Sequence, residues 1–207
     1  MKRAAPLVAI SLALASCSVG NGKGSITSDW LIAPECFEGP FDLRPTFFAA
    51  VPYRNTLDIR IQHGPEVEEF SDGLKILVTD IERVRQNLGV PLRVGLPPGV
   101  TPPGVPLQAD PDPPIVHLAL YLYESCFEQN VALYGVGGHI TFTSIFNGDI
   151  TETDASERLT EATFEVEVAD PRDQPPGGGP IPQERISVLR GHFRFFFERG
   201  QPAQPFP

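Results

Sequence analysis

Residues 139–149 read His-Ile-Thr-Phe-Thr-Ser-Ile-Phe-Asn-Gly-Asp, and residues 163–168 read Thr-Phe-Glu-Val-Glu-Val. In the first stretch Ile140, Phe142, Ser144 and Phe146 fall on every second position. In the second, Phe164, Val166 and Val168 alternate with Thr163, Glu165 and Glu167. A period of two marks a strand with one face buried and the other wet. Asn147-Gly148 between the two stretches is a strong hairpin signal, because both residues tolerate positive φ. The reading predicts an antiparallel strand pair.

The same alternation recurs on either side. Leu57, Ile59 and Ile61 form one set, and Leu74, Ile76 and Val78 another. Val116, Leu118, Leu120 and Leu122 alternate with His117, Ala119, Tyr121 and Tyr123, which predicts a strand covered on both faces or one whose second face carries aromatics. Val131 to Tyr134 is a further short strand, ended by Gly135, Gly137 and Gly138 as a tight turn. Ile186, Val188 and then Phe193, Phe195 and Phe197 make a last strand or strand pair, with a bend at Gly191. The expected fold class is all-β, a single-domain sandwich or small barrel of about seven antiparallel strands. It has at most one short helix, with Asp80 as its cap and Ile81, Val84 and Leu88 on one face, stopped by Gly89 and Pro91.

Composition fits a loop-rich β domain. The chain has 207 residues with 23 prolines and 19 glycines, about a fifth of its length. Many of the prolines fall at 97–114 and 171–182, where a missing amide hydrogen rules out a central strand. These are read as stiff loops, the first partly polyproline II, although a partner with an aromatic groove is conceivable there. With 41% hydrophobic residues and 14 Phe, the chain has the apolar content to fold.

Signatures of chemistry are few. Gly135-Val136-Gly137-Gly138 is followed by strand-like alternation where a dinucleotide loop needs a helix, and no Gly-x-Ser-x-Gly, Walker or His-Glu-x-x-His motif occurs. His63, His117, His139 and His192 lack close spacing, so no metal site is expected, though His139 and His192 are expected at similar heights on neighbouring strands. Asn147, Asp149, Thr151 and Asp154 approach a calcium loop, but Glu152 and Arg158 stand where Gly and a bidentate Glu belong. No catalytic residue and no cofactor is assigned. Phe193, Phe195 and Phe197 are read as core; an apolar ligand inside the barrel is the alternative.

The N-terminus sets the compartment. Lys2 and Arg3 precede the apolar run Leu7–Leu14, too short to span a bilayer. Leu14-Ala15-Ser16-Cys17 resembles the lipobox of bacterial lipoproteins. That resemblance implies cleavage before Cys17, acylation of Cys17 and anchoring in the cell envelope through lipid. Ser18, in place of an Asp retention signal, favours the outer membrane over the inner. The expected organisation is then a signal peptide at 1–16, a flexible tether at 17–29, small and polar up to Ser28, and a β domain at 30–207. Loss of Lys2 and Arg3 takes the formal charge from −10 to −12, and with no basic cluster nucleic acid is not an expected partner. The same surplus disfavours docking on anionic head groups. Cys36 and Cys126 remain as a pair in an oxidising compartment and are expected to form a disulfide.

Gly138-His139-Ile140-Thr141-Phe142 and Gly191-His192-Phe193-Arg194-Phe195 resemble the closing strands of β-rich, single-domain lipoproteins of unknown function from Gram-negative envelopes. The resemblance implies no activity. The expected function is a non-enzymatic binding or interaction module with a protein, glycan or lipid partner. The alternative is an enzyme acting on envelope lipid or polysaccharide through dispersed histidines and carboxylates, and a purely structural spacer is a third possibility.

Overall fold

The computed structural model describes residues 22–64, 71–100, 110–127, 129, 131–175 and 179–200. Ten strands occur there: β1 (Gly22–Ala33), β2 (Phe37–Leu43), β3 (Phe47–Tyr53), β4 (Thr56–Gln62), β5 (Gly73–Val78), β6 (Leu92–Arg93), β7 (Val116–Leu122), β8 (Val131–Ser144), β9 (Leu159–Ala169) and β10 (Ser187–Phe196). Nine follow one path, β2-β1-β10-β9-β8-β7-β5-β4-β3, and β6 pairs with β8. All these strand pairs are antiparallel, and the sheet curls into a half-barrel. The expected strands at 57–61, 74–78, 116–122 and 164–168 and the last one from 186 are found, the two expected at 131–134 and from 140 are one strand, β8, and β1, β2, β3 and the two-residue β6 are additional.

Curling puts alternate residues of distant strands into one core. Leu57, Ile59, Ile61, Leu74, Ile76, Leu118, Leu120, Ile140, Phe142, Val166, Phe193 and Phe195 are all buried in it. Phe48 on β3, the last strand of the path, stacks on Phe195 of β10 near the other end, with ring centroids 5.8 Å apart. Phe142 and Phe193 meet edge to face at 6.5 Å. The phenylalanines at period two therefore fill the concave side as core.

Residues 22–29, expected in the tether, are instead the first two thirds of β1, paired to β10 from Gly22↔Phe195 to Thr27↔Arg190. Small residues stand here because rings occupy the space. A Cβ on Gly24 would lie 2.8 Å from the His192 carbonyl and 3.2 Å from the Phe193 Cβ. Gly135 to Gly138, expected as a turn, lie inside β8. The register against β9 shifts between Gly135 and Gly137, and Gly138 has φ +86°, so the glycines build a bulge in a continuous strand. Asn147-Gly148 lies in the β8–β9 connection as expected, but that connection spans 145–158 and is no two-residue turn.

Two short α-helices occur where at most one was expected. α1 (Ile81–Arg85) is capped by Asp80, whose Oδ1 accepts from the Arg83 amide at 3.0 Å. It ends before Leu88, which is 43% exposed, and Gly89 at φ +78° turns the chain away. α2 (Ala155–Arg158) is capped by Asp154. Among the described residues no helix is long and apolar enough to cross a membrane.

The two ends of the half-barrel are closed differently. At the end where β1 begins, Ile81 and Val84 of α1 are buried, and Asn55 in the β3–β4 turn holds the helix through its carbonyl to the Ile81 amide (3.0 Å) and its Nδ2 to Asp80 (2.9 Å). Phe146 stacks on Phe197 beside it at 4.1 Å. At the far end the Cys36–Cys126 disulfide ties the β1–β2 turn to the segment after β7, with Cα atoms 5.6 Å apart.

Candidate functional site: a tyrosine cleft on the outer face

β7 is buried on both faces along its whole length. Its inner residues face the core. Its outer residues His117, Ala119 and Tyr121 are covered from their own chain, because Val94 makes a parallel bridge to Val116 and leads the segment through Pro97 and Val100 over the sheet. Register then fixes the hollow. Ala119 stands between Lys75 of β5 and Tyr134 of β8, His117 opposite Leu77, and Tyr121 opposite Ala132. The methyl of Ala119 is a low floor among tall neighbours. The result is a cleft of about 230 Å³ lined by Lys75, His117, Ala119, Tyr121 and Tyr134, with Pro97 and Val100 at its rim.

The tyrosines form a small aromatic group. Tyr121 and Tyr123 lie 5.8 Å apart with tilted rings, and both belong with Ala132 and Tyr134 to a second apolar cluster separate from the core. Burial and the neighbouring Tyr134 push the Tyr121 phenol well above its usual value, and the same causes raise Tyr123. Both remain protonated donors at neutral pH. Lys75 is drawn to Asp58, 3.4 Å away, at the edge of the group.

His117 is 5% exposed. Its Nδ1–H donates to the Gly95 carbonyl at 2.9 Å, which leaves Nε2 as an acceptor. That Nε2 is buried and has no hydrogen-bond partner among the described residues. Burial lowers the pKa of the ring, against the opposing pull of the Gly95 and Leu96 carbonyls. An orphaned buried acceptor costs about 1–3 kcal/mol, and the residue that carries it borders the cleft.

Two other hollows carry less. A shallow groove of about 500 Å³ runs over β8 and β9 past His139, Thr141, Thr163, Glu165 and Glu167. His139 and Glu165 stand directly opposite, but Glu165 is held by Arg190 at 2.8 Å, and Arg190 also reaches Asp29 at 2.9 Å. His192, on β10, pairs with Thr163 of β9, so β9 separates the two histidines and they stand two residues apart in register; neighbouring strands at one height were expected. The third hollow, about 410 Å³ near the disulfide, contains His63, Asp72 and Ser125. There the Ser125 hydroxyl donates to Asp72, which also accepts from the Ser125 and Glu124 amides at 3.0 and 2.9 Å. The carboxylate caps a turn, and the serine hydroxyl is spent on it.

The acidic loop is likewise occupied by its own backbone. Asp149 accepts from Thr151, Asp154 from Ser156, and Glu152 from Asn147 and the Thr153 and Asp154 amides. No group of three or more His, Cys, Asp or Glu suited to a metal ion gathers among the described residues. Cys17 lies outside those residues. Comparison with known proteins finds no matching family model, no matching curated protein and no matching solved structure.

Tyr121 and His117 were visible in the sequence as outward positions of β7. Tyr134 was visible only as the end of a short strand, Lys75 only as an alternating strand position, and Pro97 and Val100 only as part of a proline-stiffened loop, since strand register and the Val94–Val116 bridge are what bring them to the same place.

Proposed function

We propose that this chain is an envelope lipoprotein, acylated at Cys17, whose half-barrel is a non-enzymatic binding module with its ligand in the tyrosine cleft. One observation carries the binding role: the hollow over the Ala119 floor, walled by Tyr121, Tyr134 and His117, whose buried Nε2 has no hydrogen-bond partner among the described residues. The anchor rests on the Leu14–Cys17 motif, and the Cys36–Cys126 bridge fits an oxidising compartment. The ligand chemistry follows from the lining. An acceptor nitrogen asks for a hydroxyl or amide donor, tyrosine rings take the flat apolar face of a ring, and about 230 Å³ admits one such unit. A single hydroxyl-bearing ring, as in one sugar unit of a glycan, satisfies all three.

The test is a titration of isotopically labelled protein with a panel of monosaccharides and simple phenols, read by NMR at the His117 ring and at Tyr121 and Tyr134. Saturable shifts confined to these residues, lost in Ala119→Leu, are the expected result. Absence of saturation with every panel member up to millimolar concentration overturns the ligand class. Saturation centred on the β8–β9 groove moves the site away from the cleft.

A further inference from the structure

Seven large apolar side chains are conspicuously exposed among the described residues: Trp30, Val51, Tyr53, Leu88, Val90, Phe127 and Ile150. Five of them collect at one end of the half-barrel. Val51 and Tyr53 lead into the β3–β4 turn, Leu88 and Val90 follow α1, and Ile150 sits in the β8–β9 connection. These segments are fastened together. The Gly89 amide donates to the Phe142 carbonyl at 2.8 Å, Arg85 to the Ile145 carbonyl at 3.2 Å and Arg199 to the Ile150 carbonyl at 2.7 Å. A Cβ built on Gly148 would touch both Ile81 and Pro52. The apolar tips therefore project from one rigid platform, and exposed apolar groups gathered in that way mark an interaction surface.

The same end is where the described chain starts. β1 enters the sheet at Gly22, five residues after Cys17. Five residues span at most about 17 Å even when fully extended, so an acyl chain on Cys17 keeps this end within that distance of the bilayer. The opposite end, with the disulfide and Phe127, lies a whole strand length away. Trp30 stands eight residues further along β1 than Gly22, about 26 Å at the rise of a strand.

We propose that the α1 end of the half-barrel rests on the lipid surface, with Tyr53, Leu88, Val90 and Ile150 dipping into the interface and the disulfide end held outward. This rests on the acylated-Cys17 reading above. Tyr53 suits the head-group level, with an apolar ring and a hydroxyl that stays wet, and the Arg54 guanidinium packs over its ring at 5.2 Å. The acidic surplus makes a zwitterionic surface the fitting partner, since anionic head groups would repel the body.

The experiment uses the full chain, processed and acylated in a bacterial host, reconstituted into phosphatidylcholine vesicles with and without bromine on the acyl chains. Trp30 is the single tryptophan and serves as the internal control. Leu88→Trp and Ile150→Trp, each in a Trp30→Phe background, place the probe on two different loops of the platform, so failure of one variant to fold leaves the other. Bromine should quench either new tryptophan by half or more and leave Trp30 within about a tenth of its unquenched signal. Quenching of Trp30 equal to or above that of the platform probes, or no quenching of the probes in vesicle-bound acylated protein, overturns the orientation alone. An intact mass showing an unmodified Cys17, with protein that does not float with vesicles, overturns the anchor and the orientation together.

Discussion

The two faces of β7 are buried to nearly the same degree by different means. Inward, Leu118, Leu120 and Leu122 enter a core assembled from strands across the whole chain, from Ile26 to Phe197. Outward, Ala119, Tyr121 and Tyr123 form a small separate cluster with Ala132 and Tyr134, and Ala119 and Tyr121 border the cleft with the segment that follows β6. The inner face carries the fold. The outer face is free to keep a hollow and an orphaned acceptor, because little else depends on it. On the proposed reading, burial in this protein separates into a structural kind and a ligand-binding kind on one strand.

The sharpest way to break that distinction is to truncate the inner face. Leu120→Ala should cost about 2–5 kcal/mol in urea unfolding, and a loss under 1 kcal/mol would mean the core does not depend on it. Reducing the disulfide should cost about 2–4 kcal/mol, because Cys36 and Cys126 are 90 residues apart and their link restricts the unfolded chain. It should leave ligand shifts at Tyr121 intact, since the bridge lies beyond the cleft. His117 gives a pH signature. Burial holds its folded pKa below the unfolded value of about 6.5. Its neutral form is therefore favoured by folding, that contribution is complete above about pH 6.5, and it fades as pH falls through the folded value because the unfolded chain takes up the extra proton. Stability measured between pH 7 and pH 5 should fall less in His117→Gln than in the parent. Smallest of all, Ala119→Val should change stability by under about 1 kcal/mol while raising the cleft floor, so binding should drop sharply where folding does not.

Sequence and structure agree wherever strands have one wet face or pair with long neighbours. β4, β5, β7, β9 and β10 alternate in their letters because their environments alternate. β1 did not announce itself, since its inward positions are Gly22, Gly24 and Ile26, and the volume there belongs to Phe48, Phe193 and Phe195 from other strands. β3 has four buried residues in a row, Phe47 to Ala50, and so lacks the period of two. The glycines of β8 looked like a turn because a bulge and a turn use the same residue for the same reason, positive φ at Gly138. The cleft was half visible, through His117 and Tyr121. Its floor was not, because Ala119 acquires meaning only from the heights of Lys75 and Tyr134 on either side.

The pairing of β1 with β10 sets the order in which the molecule can be finished. β1 lies nearest the proposed point of attachment, yet one of its two partners is β10, the last of the described strands in chain order, joined to it from Gly22↔Phe195 onward. Such end-to-end pairing raises contact order and slows folding. A chain made from its N-terminus would keep one edge of β1 unpaired until residue 196 arrives, exposed meanwhile to the mispairing that open strand edges invite. Truncation before β10 would remove the strand that joins the β1–β2 hairpin to the rest of the sheet, leaving the Cys36–Cys126 bridge to hold it.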